Sequence, residues 1–205
     1  GGALLAVTEP LHDLAQAFLE ETGLANGWPF AVIHPGSGST HKCVAPKTLA
    51  AVVNAVQASG TAPVILEGPA DRDAVERLLP LCVTPPIVLK GVDVCTVCGV
   101  LARACLFVGQ DSGITHLAGL MGVCTLAIFG PTDPTRWAPR GAHVTVVQGA
   151  SCLCRSWEEV SRCEEKPCLK VSQDHLVTLC LTHLKGAAVR QRIESDCLVT
   201  DHHVC

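Results

Sequence analysis

Positive charge is scarce in this chain. Its 205 residues carry 15 Lys and Arg against 19 Asp and Glu, a net charge of −4 with histidine neutral. No basic patch or stripe is available for nucleic acid, so that class of partner is set aside. No apolar run approaches the roughly 20 residues that a membrane span requires, although 48% of the residues are hydrophobic. No basic segment followed by a long apolar stretch marks a signal peptide at the N-terminus. Internal repeats are absent. So are the Walker A spacing G-x-x-x-x-G-K-[ST] and the dinucleotide fingerprint G-x-G-x-x-G, which disfavours a Rossmann-type oxidoreductase. No catalytic metal is expected. The length suits one sizeable core. The chain opens on Gly1 and reads from there like the middle of a protein, so a fragment is expected.

Short runs rich in Val, Ile and Leu alternate with helical patterns. Strands are expected at 30–34, 62–67, 86–90, 106–110, 124–129 and 143–147, with helices at 47–58, 71–79, 94–104 and 112–121. Runs apolar on both faces, separated by helices, indicate a parallel sheet with helices on both sides, a Rossmann-like α/β fold. Residues 4–22 have helical spacing at Leu11, Leu14, Ala15, Phe18 and Leu19. A closing helix is expected from Ser172 towards Arg192, with Ser172 as its cap and Leu176, Leu179, Cys180 and Leu184 as its stripe. The polar end from Glu194 to Cys205 is expected to fray.

Ligands of such sheets dock at the carboxyl ends of the strands. Two loops at that edge carry the chemistry. The first, His34-Pro-Gly-Ser-Gly-Ser-Thr-His-Lys42, follows a strand and precedes a helix opened by Pro46. Gly36 and Gly38 offer positive φ and close backbone approach to a ligand. Ser37, Ser39 and Thr40 add hydroxyls, and Lys42 adds a mobile positive charge. The second, Gln110-Asp111-Ser112-Gly113, ends a strand at a helix N-terminus, where free N–H groups and the helix dipole attract an anion. In that helix Ile114, Leu117, Ala118 and Met121 share the packing face, while Ser112, Thr115 and His116 lie off it. A third loop, Gly130 to Pro139, carries three prolines and an exposed-looking Trp137. It suits a rigid connector and a binding loop about equally.

Thirteen cysteines are many. Cys43, Cys82, Cys105, Cys124 and Cys180 sit among apolar residues and read as small buried hydrophobes. Their odd total, without a secretory signal, fits a reduced cytosolic setting better than a disulfide framework. Cys152, Cys154, Cys163 and Cys168 form C-x-C-x8-C-x4-C, a weak metal candidate because the usual C-x2-C pairs are lacking. Cys95 and Cys98 form a C-x-x-C inside a helical pattern, where a structural role outweighs redox chemistry.

Four segments resemble glycosyltransferase family 9, the heptosyltransferases of bacterial lipopolysaccharide assembly: His34-Pro-Gly-Ser-Gly-Ser-x-x-Lys42, Glu67-Gly-Pro-Ala-Asp71, Asp111-Ser-Gly-Ile-Thr-His116 and Phe129-Gly-Pro-Thr-Asp-Pro134. The cysteine-bearing stretch after the last strand is also similar to one in many members. The resemblance covers roughly residues 28–185 and implies the C-terminal, nucleotide-sugar-binding half of a GT-B enzyme. On that basis residues 1–27 are the tail of an N-terminal domain or a linker, 28–192 the donor-binding domain and 193–205 a flexible tail. The resemblance implies inverting transfer of a sugar, commonly heptose from ADP-heptose, to a lipid-linked saccharide acceptor held by the N-terminal domain, which also supplies an aspartate base. It places Ser37, Gly38, Ser39, Thr40 and Lys42 on the diphosphate, and Asp111, Ser112, Gly113 and His116 on sugar or phosphate. Glu67 or Asp71 would meet the nucleoside. Lys42, Asp111 and His116 are the candidate catalytic residues, with no cofactor and a cytoplasmic location, at most at the inner face of the inner membrane. The family's aromatic residue and proline after the lysine are replaced here by Cys43-Val-Ala-Pro46. A non-catalytic nucleotide-sugar-binding module is the alternative.

Overall fold

The computed structural model describes residues 9–25 and 27–200. Six strands form one parallel sheet: β1 (Phe30–His34), β2 (Ala62–Glu67), β3 (Ile87–Lys90), β4 (Leu106–Gln110), β5 (Thr125–Phe129) and β6 (Val144–Gln148), in the order β3-β2-β1-β4-β5-β6. The order reverses beside β1. There the loops after β1 and β4 diverge to opposite sides and open a crevice at the carboxyl edge.

Alternate residues of each strand face opposite layers. Ala31 and Ile33 of β1 join a cluster with α2 (Pro46–Ala58), α3 (Arg72–Leu78) and α8 (Gln173–Thr200), through Val53, Val75 and Leu176. Phe30 and Val32 join the other layer, built by α1 (Glu9–Glu21), α4 (Val94–Arg103) and α5 (Gly113–Leu120) through Leu19, Val100 and Ala118. The expected Rossmann-like α/β fold is present. Pro46 opens α2 as its first residue, and Ser172 Oγ accepts the His175 N–H at the start of α8.

Several details differ from expectation. The Gly130–Pro139 loop contains a single helical turn, α6 (Pro134–Trp137), capped by Asp133, and Trp137 is exposed on it. A short helix, α7 (Trp157–Arg162), lies in the cysteine-bearing stretch. Helix α8 continues to Thr200, past the end expected near Arg192. Residues 1–8 and 201–205, the ends of the two expected tails, lie outside the described residues. Cys105, Cys124 and Cys180 are buried, but Cys43 and Cys82 are only half-buried. Both follow single-turn 3-10 helices, Thr40–Lys42 and Leu79–Leu81, which end in loops rather than in the core. In α5 Thr115 is fully buried, contrary to its expected position off the packing face, because its hydroxyl donates to the Gln110 carbonyl.

Candidate functional site

The loops after β1 and β4 meet because their strands pair directly, His34 lying opposite Gly109. Beyond His34 the chain turns at Ser39, whose hydroxyl accepts the His41 N–H and caps the 3-10 turn carrying Lys42. Lys42 Nζ stands 2.8 Å from Asp111 Oδ2. The contact is an ion pair without hydrogen-bond directionality, since Oδ2 receives no aligned donor. Ser37 donates its hydroxyl to the Asp111 carbonyl at 2.7 Å, and the Val44 N–H reaches Gln110 Oε1 at 3.4 Å. The two loops expected to act together are thus tied by three contacts. Asp111 is buried, whereas the Lys42 side chain keeps 24% of its surface open and so retains donors for a ligand.

A second set of bonds lies behind the loops. His34 Nε2 stands 2.8 Å from Asp71 Oδ2, which also accepts the Gly68 N–H at 3.0 Å. His34 Nδ1 is 3.3 Å from Ser112 Oγ, which is 3.1 Å from Thr115 Oγ1. The Thr115 proton is committed to the Gln110 carbonyl, so the Ser112 hydroxyl is the donor in this group. Burial pushes the Asp71 carboxyl up, but the His34 bond and charge, with the Gly68 N–H, outweigh it and hold the carboxyl below its ordinary value. A Cβ on Gly36 would lie 1.7 Å from Asp71 Oδ1, and one on Gly68 would lie 2.7 Å from Oδ2. Gly36 therefore clears space for Asp71 rather than for a ligand, and neither Gly36 nor Gly38 adopts positive φ. A Cβ on Gly38 or Gly113 would meet nothing, so the backbone at both is open to an approaching group.

These loops border a cleft of about 540 Å³ at the carboxyl edge. Ser37, Gly38, Glu67, Asp71, Ser112 and Gly113 contribute its polar wall. Val92, Val94, Val97, Ile114 and Leu117 make an apolar wall. Asp71 is engaged by His34 and Gly68, which leaves half-buried Glu67 as the uncommitted carboxylate. Thr40 lines a smaller cavity of about 200 Å³, together with Cys43 and Arg77. His116 sits on α5 outside both linings, half-buried, its N–H donated to the Ser112 carbonyl at 3.3 Å and its ring given no hydrogen bond among the described residues. No role is expected of His34 from the sequence, although it opens the first glycine-bearing loop. Its position as the last residue of an apolar strand was the available signal.

Cys152, Cys154 and Cys163 line a separate cavity of about 440 Å³, with Cys168 buried beside them. Partial burial, then Cys152 and Cys163, pushes the Cys154 thiol up to about 11. Burial and Cys152 do the same to Cys168, also to about 11. The four thiols converge, yet among the described residues no group of three His, Cys, Asp or Glu is arranged to hold a metal ion. Cys95 and Cys98 lie on α4, the former exposed.

A parallel sheet in this strand order, with two polar loops and a half-apolar cleft over its carboxyl edge, defines an α/β ligand-binding domain of the Rossmann type. The family model of glycosyltransferase family 9 (heptosyltransferase) matches residues 5–167, and the chain belongs to that family. Lipopolysaccharide heptosyltransferase 3 of Escherichia coli is 33% identical over 118 residues, 55% of this chain and 34% of that protein. The chain thus spans about a third of the length of the curated relatives it matches. A family 9 glycosyl transferase from Veillonella parvula superposes with a TM-score of 0.79 at 23% identity, covering 89% of this chain and 53% of that one. The ADP-heptose lipopolysaccharide heptosyltransferase II of E. coli superposes with a TM-score of 0.71 at 17% identity, covering 92% and 54%. The likeness to these two structures is one of fold. No helix among the described residues is long and apolar enough to cross a membrane.

Proposed function

We propose that this chain is the donor-binding half of an inverting heptosyltransferase, holding a nucleoside-diphosphate sugar, by preference ADP-heptose, in the cleft at the carboxyl edge. The observation that carries the reading is the Lys42–Asp111 pair, 2.8 Å long, with Ser37 bonded to the same aspartate. It ties one ammonium to the residue before Ser112 and Gly113, which line the cleft at the N-terminus of α5, although Lys42 and Asp111 themselves stand outside the cleft lining. Loss of the nucleoside diphosphate leaves negative charge on its oxygens. A held lysine and preorganised amides stabilise that charge without a metal. Glu67 takes the nucleoside, as an acceptor for ribose hydroxyls, and the valine wall of α4 takes the base. Asp71 serves through His34, holding Ser112 at the helix start. Asp111 orients Lys42 and the sugar. His116 is left for the sugar phosphate only if the ligand reaches past Gly113. The general base and the lipid-linked saccharide acceptor belong to an N-terminal domain, and the reaction to the cytoplasmic face of the inner membrane in lipopolysaccharide assembly.

The test is calorimetric binding of ADP to the chain and to its Lys42→Ala variant. Removing the ammonium deletes a charge-assisted bond worth about 1.5–3 kcal/mol and leaves Asp111 uncompensated beside the phosphates. ADP affinity should fall roughly tenfold to a hundredfold. Lys42→Ala with Asp111→Asn should recover part of the loss. Equal affinity of wild type and Lys42→Ala would remove Lys42 from the site.

A further inference from the structure

Lys166 belongs to none of the groups described above, yet it reaches the loop after β1 from far along the chain. Its backbone takes φ 41° and ψ 57°, and it is the one non-glycine residue with positive φ among those described. A lysine pays for that conformation where a glycine would not, so surrounding structure must impose it. The imposing contacts are visible. Leu169 donates its N–H to the Lys166 carbonyl at 2.9 Å, closing the 3-10 turn Pro167–Leu169. That turn is pinned beyond β6, where Gly149 N–H donates to Cys168 O at 3.0 Å and Ala150 N–H to Pro167 O at 3.2 Å. Cys168 and Leu169 are buried, and Leu169 fills the space that a Cβ on Gly130 would need.

From this anchored base the Lys166 side chain crosses to the 3-10 turn Thr40–Lys42, where Nζ lies 3.2 Å from His41 Nδ1. An ammonium can only donate, so His41 Nδ1 accepts and the ring carries its proton on Nε2. His41 is the residue before Lys42. Its own N–H is held by Ser39 Oγ, and the Lys42 N–H is held by the Ser39 carbonyl at 3.0 Å. We propose that Lys166 is a positioning residue for the phosphate loop, its ammonium gripping His41 so that the turn presents Lys42 to the diphosphate. The inference rests on the donor-site reading above and adds to it a strut from the cysteine-bearing segment.

The experiment uses the full chain with Lys166→Gly, which removes the ammonium while easing the left-handed backbone, and Lys166→Arg, which restores a cationic donor. Lys166→Met covers the case in which glycine loosens the fold. Two quantities are read: ADP affinity, and hydrogen exchange at the Lys42 and Cys43 amides. Losing one charge-assisted bond should weaken ADP binding about tenfold in Lys166→Gly and Lys166→Met and speed exchange at both amides, with arginine restoring both. Unchanged exchange in Lys166→Gly overturns the proposal, even if ADP binding falls, because the ammonium would then act on the ligand itself. If wild type binds no ADP, the donor reading fails while the exchange measurement still decides whether Lys166 holds the turn.

Discussion

Asp71 shows how a buried carboxylate can be committed before any ligand arrives. It is 6% exposed, and its oxygens face His34, the Gly68 N–H and two glycines with no side chains to clash. Its folded pKa lies below the ordinary value of 3.8, so the ionised form is favoured by folding. A carboxyl lowered in this way adds stability that is present above the unfolded pKa and is lost as pH falls through the folded one. Asp71→Asn should therefore cost about 1–3 kcal/mol near neutral pH, because His34 loses its charged acceptor. The gap between the two proteins should close as pH drops below 3.8, when wild type also loses the charge. Denaturant titrations at pH 7 and near pH 3 measure it, and a gap that stays constant or widens in acid contradicts the assignment. Lys42 and Asp111 were legible in the sequence because each follows an apolar strand in a glycine-bearing turn. The His34–Asp71 bond was not, because it joins residues 37 apart and depends on where the loop after β2 folds back.

At the scale of elements, the strands were legible almost to the residue, since runs buried on both faces leave an uninterrupted apolar signature. Helix α7 was missed because it buries only Val160 and shows no apolar period. Its capping signal was nevertheless present: Ser156 Oγ accepts the Glu159 N–H, and Glu159 Oε2 accepts the Arg155 N–H. The packing of α1 on α4 depends on a glycine whose purpose no pattern shows. A Cβ on Gly99 would lie 2.1 Å from the Leu11 carbonyl oxygen and 2.8 Å from Ala15 Cβ. Gly99→Ala sets two effects against each other. Helix propensity favours alanine by about 1 kcal/mol. Overpacking against a backbone carbonyl, which no rotamer can relieve, costs about 1–3 kcal/mol. The clash should win, lowering the melting temperature by roughly 2–4 °C per kcal/mol of net loss. A higher melting temperature would mean that α1 is not held against α4 as described.

For the whole molecule, the proposed donor site separates binding from turnover. Everything assigned to the nucleoside diphosphate lies on one sheet: Lys42 and Gly38 after β1, Glu67 after β2, and Ser112 and Gly113 after β4. The basic side chains that border the cleft, His34, Asp71 and Glu67, are each engaged or assigned. His34 is buried with both ring nitrogens engaged, and Asp71 is bonded to it. Asp111 faces Lys42, and Glu67 is assigned to the nucleoside. Deprotonation of an acceptor needs a general base within hydrogen-bond distance of that hydroxyl. The chain should therefore bind donor without transferring its sugar. ADP at a hundred times its dissociation constant should stabilise the fold by about 2.7 kcal/mol. For a domain of this size that is a rise of roughly 5–10 °C in melting temperature. AMP, which lacks the second phosphate for Lys42, should give a smaller rise. The same preparation, given ADP-heptose and a lipid-linked saccharide, should release no ADP above the rate of hydrolysis in its absence. Sugar transfer by this chain would show that one of its own carboxylates or histidines leaves its partner to act as base, and the division between binding and base would fail.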